Sequence, residues 1–117
     1  MRILVVDDDE DIRFLLQDTF SRMGFDVDVA SDGPDALRKV SEAPDAVIID
    51  QKLVGASGLD VVAEMRQAGY EGRVVLFSGL IDAATAQRAA ELDVTPVNKS
   101  QVAELGSVVS ELLDGPS

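Results

Sequence analysis

The sequence predicts an α/β fold in which a doubly wound, parallel sheet of five strands has helices on both faces. Five short apolar runs occur along the 117 residues, and segments with a helical spacing of apolar residues separate them. The first and third runs contain no polar residue, as expected for strands that are buried on both faces. Because each strand is followed by a helix, the connections should be right-handed crossovers between parallel strands.

The predicted strands cover residues 3–6, 27–30, 46–49, 74–77 and 94–97. In the second strand Val27 and Val29 flank Asp28, and this mixed pattern favours a position at the edge of the sheet. An edge position for the second strand predicts the order 2-1-3-4-5, which is the flavodoxin-like order. In that order a crevice forms between the carboxyl ends of the first and third strands, where ligands bind in open α/β sheets.

The predicted helices cover residues 12–23, 36–40, 59–65, 82–91 and 102–112. Apolar residues recur three and four positions apart in them, although the fourth is rich in alanine and therefore weakly hydrophobic. Gly24 and Gly69 are expected to end the first and third helices, and Pro34 suits the first turn of the second. The fifth helix should end before Gly115 and Pro116.

Composition restricts the chemistry that the chain can perform. Its 22 acidic and 10 basic residues give a formal net charge of −12, so the protein should repel nucleic acids and anionic membranes. The absence of cysteine excludes disulfides and zinc–thiolate sites, and the absence of histidine removes the commonest general base. Carboxylates remain, and they favour hard cations such as Mg²⁺.

Neither a membrane span nor a signal peptide is predicted. No apolar stretch approaches the length that a transmembrane helix needs, and the apolar run near the start is too short for a signal peptide. We therefore expect a cytoplasmic protein. With 46% hydrophobic residues, residues 1–117 should build one core and form a single domain.

Acidic residues follow two of the buried strands at the point where each strand ends. Asp7, Asp8 and Asp9 follow the first strand, and Asp50 follows the third. These carboxylates should meet at the crevice, where they predict a Mg²⁺-dependent phosphoryl site. Without a metal ion, mutual repulsion should raise the pKa of at least one carboxyl group. Asp9 has an alternative role as the N-terminal cap of the first helix.

The fourth and fifth strands end in residues that would complete such a site. Ser78 closes the fourth strand and is followed by Gly79, and Lys99 closes the fifth. Phosphoryl transfer depends on positioning and on neutralising charge. A hydroxyl and an ammonium group at the same sheet edge as the acids would therefore bind a transferring phosphoryl group.

Together, the order and spacing of these motifs resemble the receiver domain of two-component response regulators over essentially the whole chain. The matching pieces are residues 5–9 (Val-Val-Asp-Asp-Asp), residues 47–50 (Val-Ile-Ile-Asp), Gly58 eight positions later, Ser78-Gly79 and Lys99. The resemblance implies one receiver domain over residues 1–117, with no output domain in this chain. It also implies a signalling phosphoacceptor rather than an enzyme.

The resemblance assigns roles to the acidic residues. Asp50 would be the phosphoacceptor and would take its phosphoryl group from the phosphohistidine of a sensor histidine kinase or a histidine phosphotransfer protein. Asp8, Asp50 and the main-chain carbonyl of Lys52 would hold Mg²⁺, with Asp7 contributing directly or through water.

The resemblance also assigns roles around the acids. Lys99 would pair with the phosphoryl group, and the Ser78 hydroxyl would move to donate to one of its oxygens. Gly58 would permit the turn of the backbone after the acceptor. The fourth helix, fifth strand and fifth helix would form a face that binds an effector or a second copy.

Four departures from the family pattern are present: Leu53-Val54 replaces Met-Pro, residues 91–93 replace Gly-Ala, Pro96 replaces an aromatic residue and Ser100 replaces proline. A cis bond before a non-proline residue costs about 3 kcal/mol, so the Lys99–Ser100 bond should be either trans with a shifted Lys99 or a strained cis bond. Of the two we predict the trans bond. Pro96 cannot act as the aromatic relay of the family, so the readout of phosphorylation should be altered. Alternatively, Pro96 merely protects an edge strand from further pairing.

The residues two positions beyond Asp50 and Ser78 are Lys52 and Leu80, and both should flank the mouth of the site. In the family these two positions help to set the rate of dephosphorylation. A bulky Leu80 is expected to hinder the attacking water and to prolong the phosphorylated state.

Two other classes of protein compete with the phosphoryl switch. The altered region around the fifth strand is compatible with a phospho-independent adaptor, which would act only through protein contacts. Asp7-x-Asp9 after a strand also occurs in haloacid-dehalogenase-type phosphatases, but Asp11 stands where that family has a small or β-branched residue. No Gly-x-Gly-x-x-Gly motif is present, so a dinucleotide site lacks support.

Overall fold

The computed structural model describes residues 1–114. Its elements, in chain order, are β1 (Arg2–Val6), α1 (Glu10–Arg22), β2 (Asp26–Ala30), α2 (Gly33–Val40), β3 (Ala46–Ile49), β4 (Lys52–Leu53), β5 (Ala56–Ser57), α3 (Gly58–Gln67), β6 (Arg73–Ser78), α4 (Ala83–Glu91), β7 (Val94–Asn98) and α5 (Val102–Asp114), with a short 3-10 turn at Lys99–Gln101.

Five of the strands form one parallel sheet in the order β2-β1-β3-β6-β7. This order confirms the predicted 2-1-3-4-5 arrangement, because β6 and β7 are the fourth and fifth strands of the sheet. The remaining two strands, β4 and β5, pair antiparallel in a separate hairpin that was not predicted. The mixed second strand lies at one edge, as expected, and β7, which carries exposed Pro96, lies at the other.

The core lies on both faces of the sheet, which explains why β3 and the buried residues of β1 are entirely apolar. In β1, Leu4 and Val6 pack on one face with side chains from α2, α3 and α4, while Ile3 and Val5 face α1 and α5. The helices bury their apolar stripes against these two surfaces, with Phe20 of α1 fully buried. Burial on both faces is the arrangement that parallel sheets require.

Aspartate and serine side chains begin four of the helices. Asp9, Asp32, Ser57 and Asp82 each accept a hydrogen bond from a main-chain N–H in the first turn of the following helix. Such caps satisfy donors that have no partner within the helix. Three of the 22 acidic residues of this chain therefore cap helices.

The predicted helix ends are largely confirmed. Gly24 and Gly69 follow α1 and α3 with φ angles of 96° and 97°, a left-handed conformation that glycine adopts without steric cost. Ala43 and Asp93 also have positive φ angles, of 53° and 58°, although they carry a Cβ atom. The predicted stop of the fifth helix at Gly115-Pro116 lies outside the described residues.

One arginine ties together the connections at the amino edge of the sheet. The Arg66 guanidinium donates to four main-chain carbonyls that precede β6 and β7: Tyr70 at 3.0 Å, Gly72 at 2.8 Å, Leu92 at 3.0 Å and Asp93 at 3.2 Å. The Tyr70 hydroxyl donates to the Pro44 carbonyl at 2.7 Å, which joins this group to the connection before β3. Burial raises the pKa of Tyr70 to about 12.

Within residues 1–114, no helix combines the length and the apolar character needed to cross a lipid bilayer.

Candidate functional site

The carboxyl ends of four sheet strands bring the predicted residues to one edge. Asp7 and Asp50 come directly after the adjacent strands β1 and β3, and the Asp50 N–H donates to the Val6 carbonyl at 3.0 Å. Ser78 is the last residue of β6, and Lys99 directly follows β7. The alternation of strand and helix thus places these chemically distinct side chains around one crevice.

Three carboxylates meet at this crevice. Asp7, Asp8 and Asp50 each offer an oxygen, and these oxygens lie within 4.8 Å of one another. Asp7 and Asp50 are buried, whereas Asp8 is exposed. Asp9 is not part of the cluster, because its side chain accepts from the Asp11 N–H at 2.9 Å and caps α1. Of the two roles considered for Asp9, the structure therefore supports the cap.

Lys99 joins the two buried acids. Its Nζ lies 3.0 Å from Oδ2 of Asp50 and 3.1 Å from Oδ2 of Asp7. No cis peptide bond occurs among residues 1–114, so the predicted trans bond between Lys99 and Ser100 is confirmed. Replacement of the family proline by Ser100 therefore leaves the ammonium group within reach of both acids.

Burial and charge change the proton affinities at the crevice. Burial raises the pKa of Asp7, and the Asp50 charge acts in the same direction, against hydrogen bonds from the Asp9 main chain and Lys99. The direction agrees with the expectation that one carboxyl pKa should rise without a metal ion, but the main cause is burial rather than the expected repulsion. Burial acts to lower the pKa of Lys99, but the hydrogen bonds to Asp50 and Asp7 outweigh it and the net pKa is raised. The ammonium form of Lys99 is thereby stabilised.

The segment after Asp50 is held against the start of α3. The Gly58 N–H donates to the Gln51 carbonyl at 2.8 Å, and the Leu59 N–H donates to Oε1 of Gln51 at 2.9 Å. A Cβ atom on Gly58 would lie 2.1 Å from the Asp50 carbonyl oxygen. This close approach agrees with the expectation that Gly58 permits the return of the backbone after the acceptor.

Two cavities open beside Asp50 and share Asp50, Lys52 and Lys99. One, of about 660 Å³, is also lined by Ser78 and Leu80, so it holds the hydroxyl. The other, of about 430 Å³, is lined by the acids: Asp7, Asp8 and Asp9, together with Leu53 and Val54. Asp50 therefore lies between a cavity that contains the Ser78 hydroxyl and a cavity that is lined by the carboxylates of Asp7, Asp8 and Asp9.

Lys52 lies at the junction of these cavities, in β4. Its main-chain N–H is 3.5 Å from Oδ1 of Asp50, at the outer limit of a hydrogen bond. The donor set at the crevice is made of carboxylate oxygens, and the chain contains no histidine or cysteine. These residues fit a hard divalent cation better than a transition metal.

Three residues near the site were not singled out from the sequence. Gln51 binds the start of α3, Asn98 binds the main chain on either side of the site, and the Arg13 guanidinium donates to the Asp7 carbonyl at 2.7 Å. Gln51 and Asn98 adjoin the motif residues Asp50 and Lys99, whereas Arg13 lies within α1 and its sequence position gave no signal.

The family model of the response regulator receiver domain matches residues 3–101. The chain therefore belongs to the receiver-domain family. Receiver domains accept phosphoryl groups in two-component signalling, and they interact with histidine kinases or histidine phosphotransfer proteins.

Individual relatives are similar in sequence. Sporulation initiation phosphotransferase F of Bacillus subtilis is 33% identical over 92 residues, which cover 78% of this chain and 74% of that protein. The alkaline phosphatase synthesis transcriptional regulatory protein PhoP of the same organism is 46% identical over 67 residues, 56% of this chain and 28% of the relative. Response regulator MprA of Mycobacterium avium is 35% identical over 94 residues, 80% of this chain and 40% of the relative. The matches thus span well under half of the latter two proteins.

Solved structures agree in fold. The response regulator TrrA of Thermotoga maritima, in complex with Mg²⁺ and BeF, has a TM-score of 0.83 and 32% identity, covering 95% of this chain and 97% of that chain. The chemotaxis protein CheY4 of Vibrio cholerae has a TM-score of 0.86 and 25% identity with the same coverage of both chains. These likenesses confirm the flavodoxin-like arrangement of the sheet and helices.

Proposed function

We propose that residues 1–117 form one receiver domain that accepts a phosphoryl group on Asp50 and changes its binding to partners in response. The observation that carries this proposal is the setting of the Asp50 carboxylate. It is buried at the carboxyl edge of the sheet, 3.0 Å from the Lys99 ammonium and in a cluster with Asp7 and Asp8. A cavity that contains the Ser78 hydroxyl opens beside it.

The proposed reaction is an in-line transfer to a carboxylate oxygen. An Asp50 oxygen attacks the phosphorus of a phosphohistidine, a P–O bond forms and the P–N bond breaks. The electron pair returns to the donor imidazole, which takes up a proton and leaves. Lys99 then pairs with the phosphoryl oxygens, and the Ser78 hydroxyl donates to one of them, so the added negative charge is stabilised.

Mg²⁺ is the proposed cofactor, held by Asp7, Asp8, Asp50 and the main-chain carbonyl of Lys52. When bound, the ion would neutralise charge on the acids and on the transferring oxygens. Without it, Lys99 supplies the positive charge beside Asp7 and Asp50. An exposed Asp8 next to two buried acids leaves the cluster accessible from solvent.

A protein donor is favoured by the apolar side chains around the crevice. Leu80 and Val54 line the two cavities and are 78% and 76% exposed. Exposed apolar residues near a site are typical of surfaces that bind other proteins. We propose a sensor histidine kinase or histidine phosphotransfer protein as the donor, in the cytoplasm.

The output face is proposed to comprise α4, β7 and α5, which would bind an effector or a second copy. Pro96 is exposed on β7, so this face lacks the aromatic residue that the family usually has there. That difference favours the second candidate function, a phospho-independent adaptor. The net charge of −12 argues against nucleic acid as a direct ligand of this domain.

The deciding experiment is intact-mass analysis after treatment with acetyl phosphate, with and without Mg²⁺. The wild type should gain one phosphoryl group only when Mg²⁺ is present, and Asp50→Asn should gain none. Asp9→Asn serves as a matched control that keeps the cap of α1 and should be phosphorylated like the wild type. A folded, Mg²⁺-binding wild type that gains no mass would support the adaptor, and an adduct on Asp50→Asn would place the acceptor elsewhere.

A further inference from the structure

Asn98 connects the two segments that carry Ser78 and Lys99. It is the last residue of β7 and is paired with Ser78 in the parallel register of β6 and β7. Its Oδ1 accepts from the Ser100 N–H at 2.9 Å, and its Nδ2 donates to the Gly79 carbonyl at 3.4 Å. A single side chain thus binds the residue that follows Ser78 and the residue that follows Lys99.

The bond to Ser100 forms a cap on the turn that begins at Lys99. Asn98 has φ −72° and ψ 142°, an extended conformation that is usual for a capping residue, and its carboxamide satisfies the N–H of the second residue of the turn. This bond exists only because residue 100 is not proline, since proline has no N–H to donate. The cap therefore depends on one of the departures from the family pattern.

The cap bears directly on Lys99, whose backbone lies between the two bonded groups. A lysine side chain is long and flexible, so it reaches its partners reliably only when its backbone is held in the right direction. Here it has to bring one ammonium group within 3.0 Å of Asp50 and 3.1 Å of Asp7. Fixing the turn reduces the number of conformations in which Lys99 misses the two acids.

We propose that Asn98 is a positioning residue that orients Lys99 towards Asp7 and Asp50 through the cap on Ser100. The bond to Gly79 is longer, so the acceptor oxygen of Asn98 provides the larger part of the effect. Asn98 does not touch the transferring group, and its influence on phosphoryl uptake rests on the proposed function of the site.

The first test uses NMR and needs neither phosphoryl donor nor metal. In the wild type the Ser100 amide should be protected from hydrogen exchange, and the Lys99 ammonium signal should be visible because its hydrogens exchange slowly in the ion pairs. Asn98→Ala should lose both signatures. Asn98→Ser keeps a short side-chain acceptor that can cap the turn, so it should retain both. Loss of the cap in Asn98→Ala with an unchanged Lys99 signal would overturn the proposal.

The second test measures the rate of phosphoryl uptake from acetyl phosphate with Mg²⁺. Asn98→Ala should slow uptake about fivefold, as expected for the loss of one cap, while Asn98→Ser should stay within about twofold of the wild type. In a Lys99→Met background, Asn98→Ala should have no additional effect, because the residue through which Asn98 acts is gone. An equal effect in both backgrounds would contradict the proposal.

The two tests separate failure of the proposal from failure of the proposed function. A wild type that takes up no phosphoryl group would contradict the proposed function, whereas the NMR comparison would still decide whether Asn98 orients Lys99. Thermal melts followed by circular dichroism establish that each variant remains folded.

Discussion

Three consecutive aspartates perform three different tasks, because a strand ends and a helix begins within their span. Asp7 is buried beside Asp50 and Lys99, Asp8 is exposed at the edge of the cluster, and Asp9 caps α1. Identical side chains therefore differ in burial and in bonding partners over three consecutive residues. At the scale of single residues, position relative to the strand end determines the role.

Gly58 is expected to be intolerant of any side chain. In Gly58→Ala the new Cβ would lie 2.1 Å from the main-chain oxygen of Asp50, and neither backbone can move without disturbing the acceptor. We expect a loss of about 2–3 kcal/mol in the free energy of unfolding, measured by urea denaturation.

Gly106→Ala is the control for this prediction. A Cβ there would meet only the flexible side chain of Met23, with Sδ at 3.1 Å, and alanine is favoured over glycine inside a helix. Its stability should equal or exceed that of the wild type. Equal losses in the two variants would show that the close approach at Gly58 is not the cause.

Leu80 is expected to lengthen the lifetime of the phosphorylated state. Its side chain lines the cavity that contains Asp50 and Ser78, where a hydrolytic water would have to approach. Leu80→Ala should therefore accelerate loss of the phosphoryl group several-fold, followed by intact mass over time. Met23→Ala, at a similarly apolar surface position remote from the cavity, is the control, and an unchanged lifetime in Leu80→Ala would contradict the prediction.

Among the elements of the fold, backbone strain is found in the connections between helices and strands. Ala43 and Asp93 have left-handed φ angles, which glycine adopts more easily than any residue with a Cβ atom. Ala43→Gly should raise the free energy of unfolding by about 1 kcal/mol, measured by urea denaturation. The gain in Asp93→Gly should be smaller, because aspartate tolerates this conformation better than alanine.

The control for the left-handed positions is an alanine inside a helix. Ala86→Gly in α4 should lower the stability by about 1 kcal/mol, because the same substitution now acts on a right-handed backbone. A loss of stability in Ala43→Gly comparable with that in Ala86→Gly would argue against strain at residue 43.

The sequence predicted the large elements well for a physical reason. Strands buried on both faces are nearly continuous apolar runs, so the run at residues 46–49 coincides with β3. The other sheet strands extend the predicted runs by one or two residues. The hairpin of β4 and β5 was not predicted, because strands of two residues are too short to show a pattern. The spacing of apolar residues therefore predicts buried helices and strands, but it predicts little about short, exposed strands.

The sequence likewise predicted some features of the candidate site and not others. Strand ends predicted that Asp7, Asp8, Asp50, Ser78 and Lys99 share one edge, since parallel strands place their carboxyl ends together. The sequence could not decide whether Asp9 caps a helix or joins the cluster, because both roles suit an aspartate at that position. Side-chain bonds such as that from Ser100 to Asn98 depend on loop conformation, which leaves no periodic signal.

For the whole molecule, pH dependence at the alkaline end should report on Tyr70. Its hydroxyl has a raised pKa of about 12 in the folded protein, so the neutral form is favoured there. The unfolded chain loses this proton near pH 10. The contribution of Tyr70 to stability is thus complete below about pH 10 and is lost as the pH rises towards 12.

Measurement of this titration is direct, because the chain contains one tyrosine and no tryptophan. Absorbance at 295 nm should show ionisation near pH 12 in the folded protein and near pH 10 in urea. The stability difference between the wild type and Tyr70→Phe should shrink over the same interval. Ionisation near pH 10 in the folded state would contradict the burial of this hydroxyl.

The two ends of the sheet are held by different kinds of bond. The connections before β6 and β7 are held by Arg66, and the crevice at the carboxyl end is held by Lys99. At the amino end of the sheet, the Arg66 guanidinium donates to four uncharged main-chain carbonyls, and added salts or cations do not compete strongly for such bonds. At the crevice, the ion pairs of Lys99 with Asp7 and Asp50 hold the strand ends together. A cation or anion that binds there changes the balance of charge in these ion pairs. Binding of an ion or a phosphoryl group at the crevice can therefore move the loops around it, while the bonds of Arg66 keep β6 and β7 in register at the other end of the sheet.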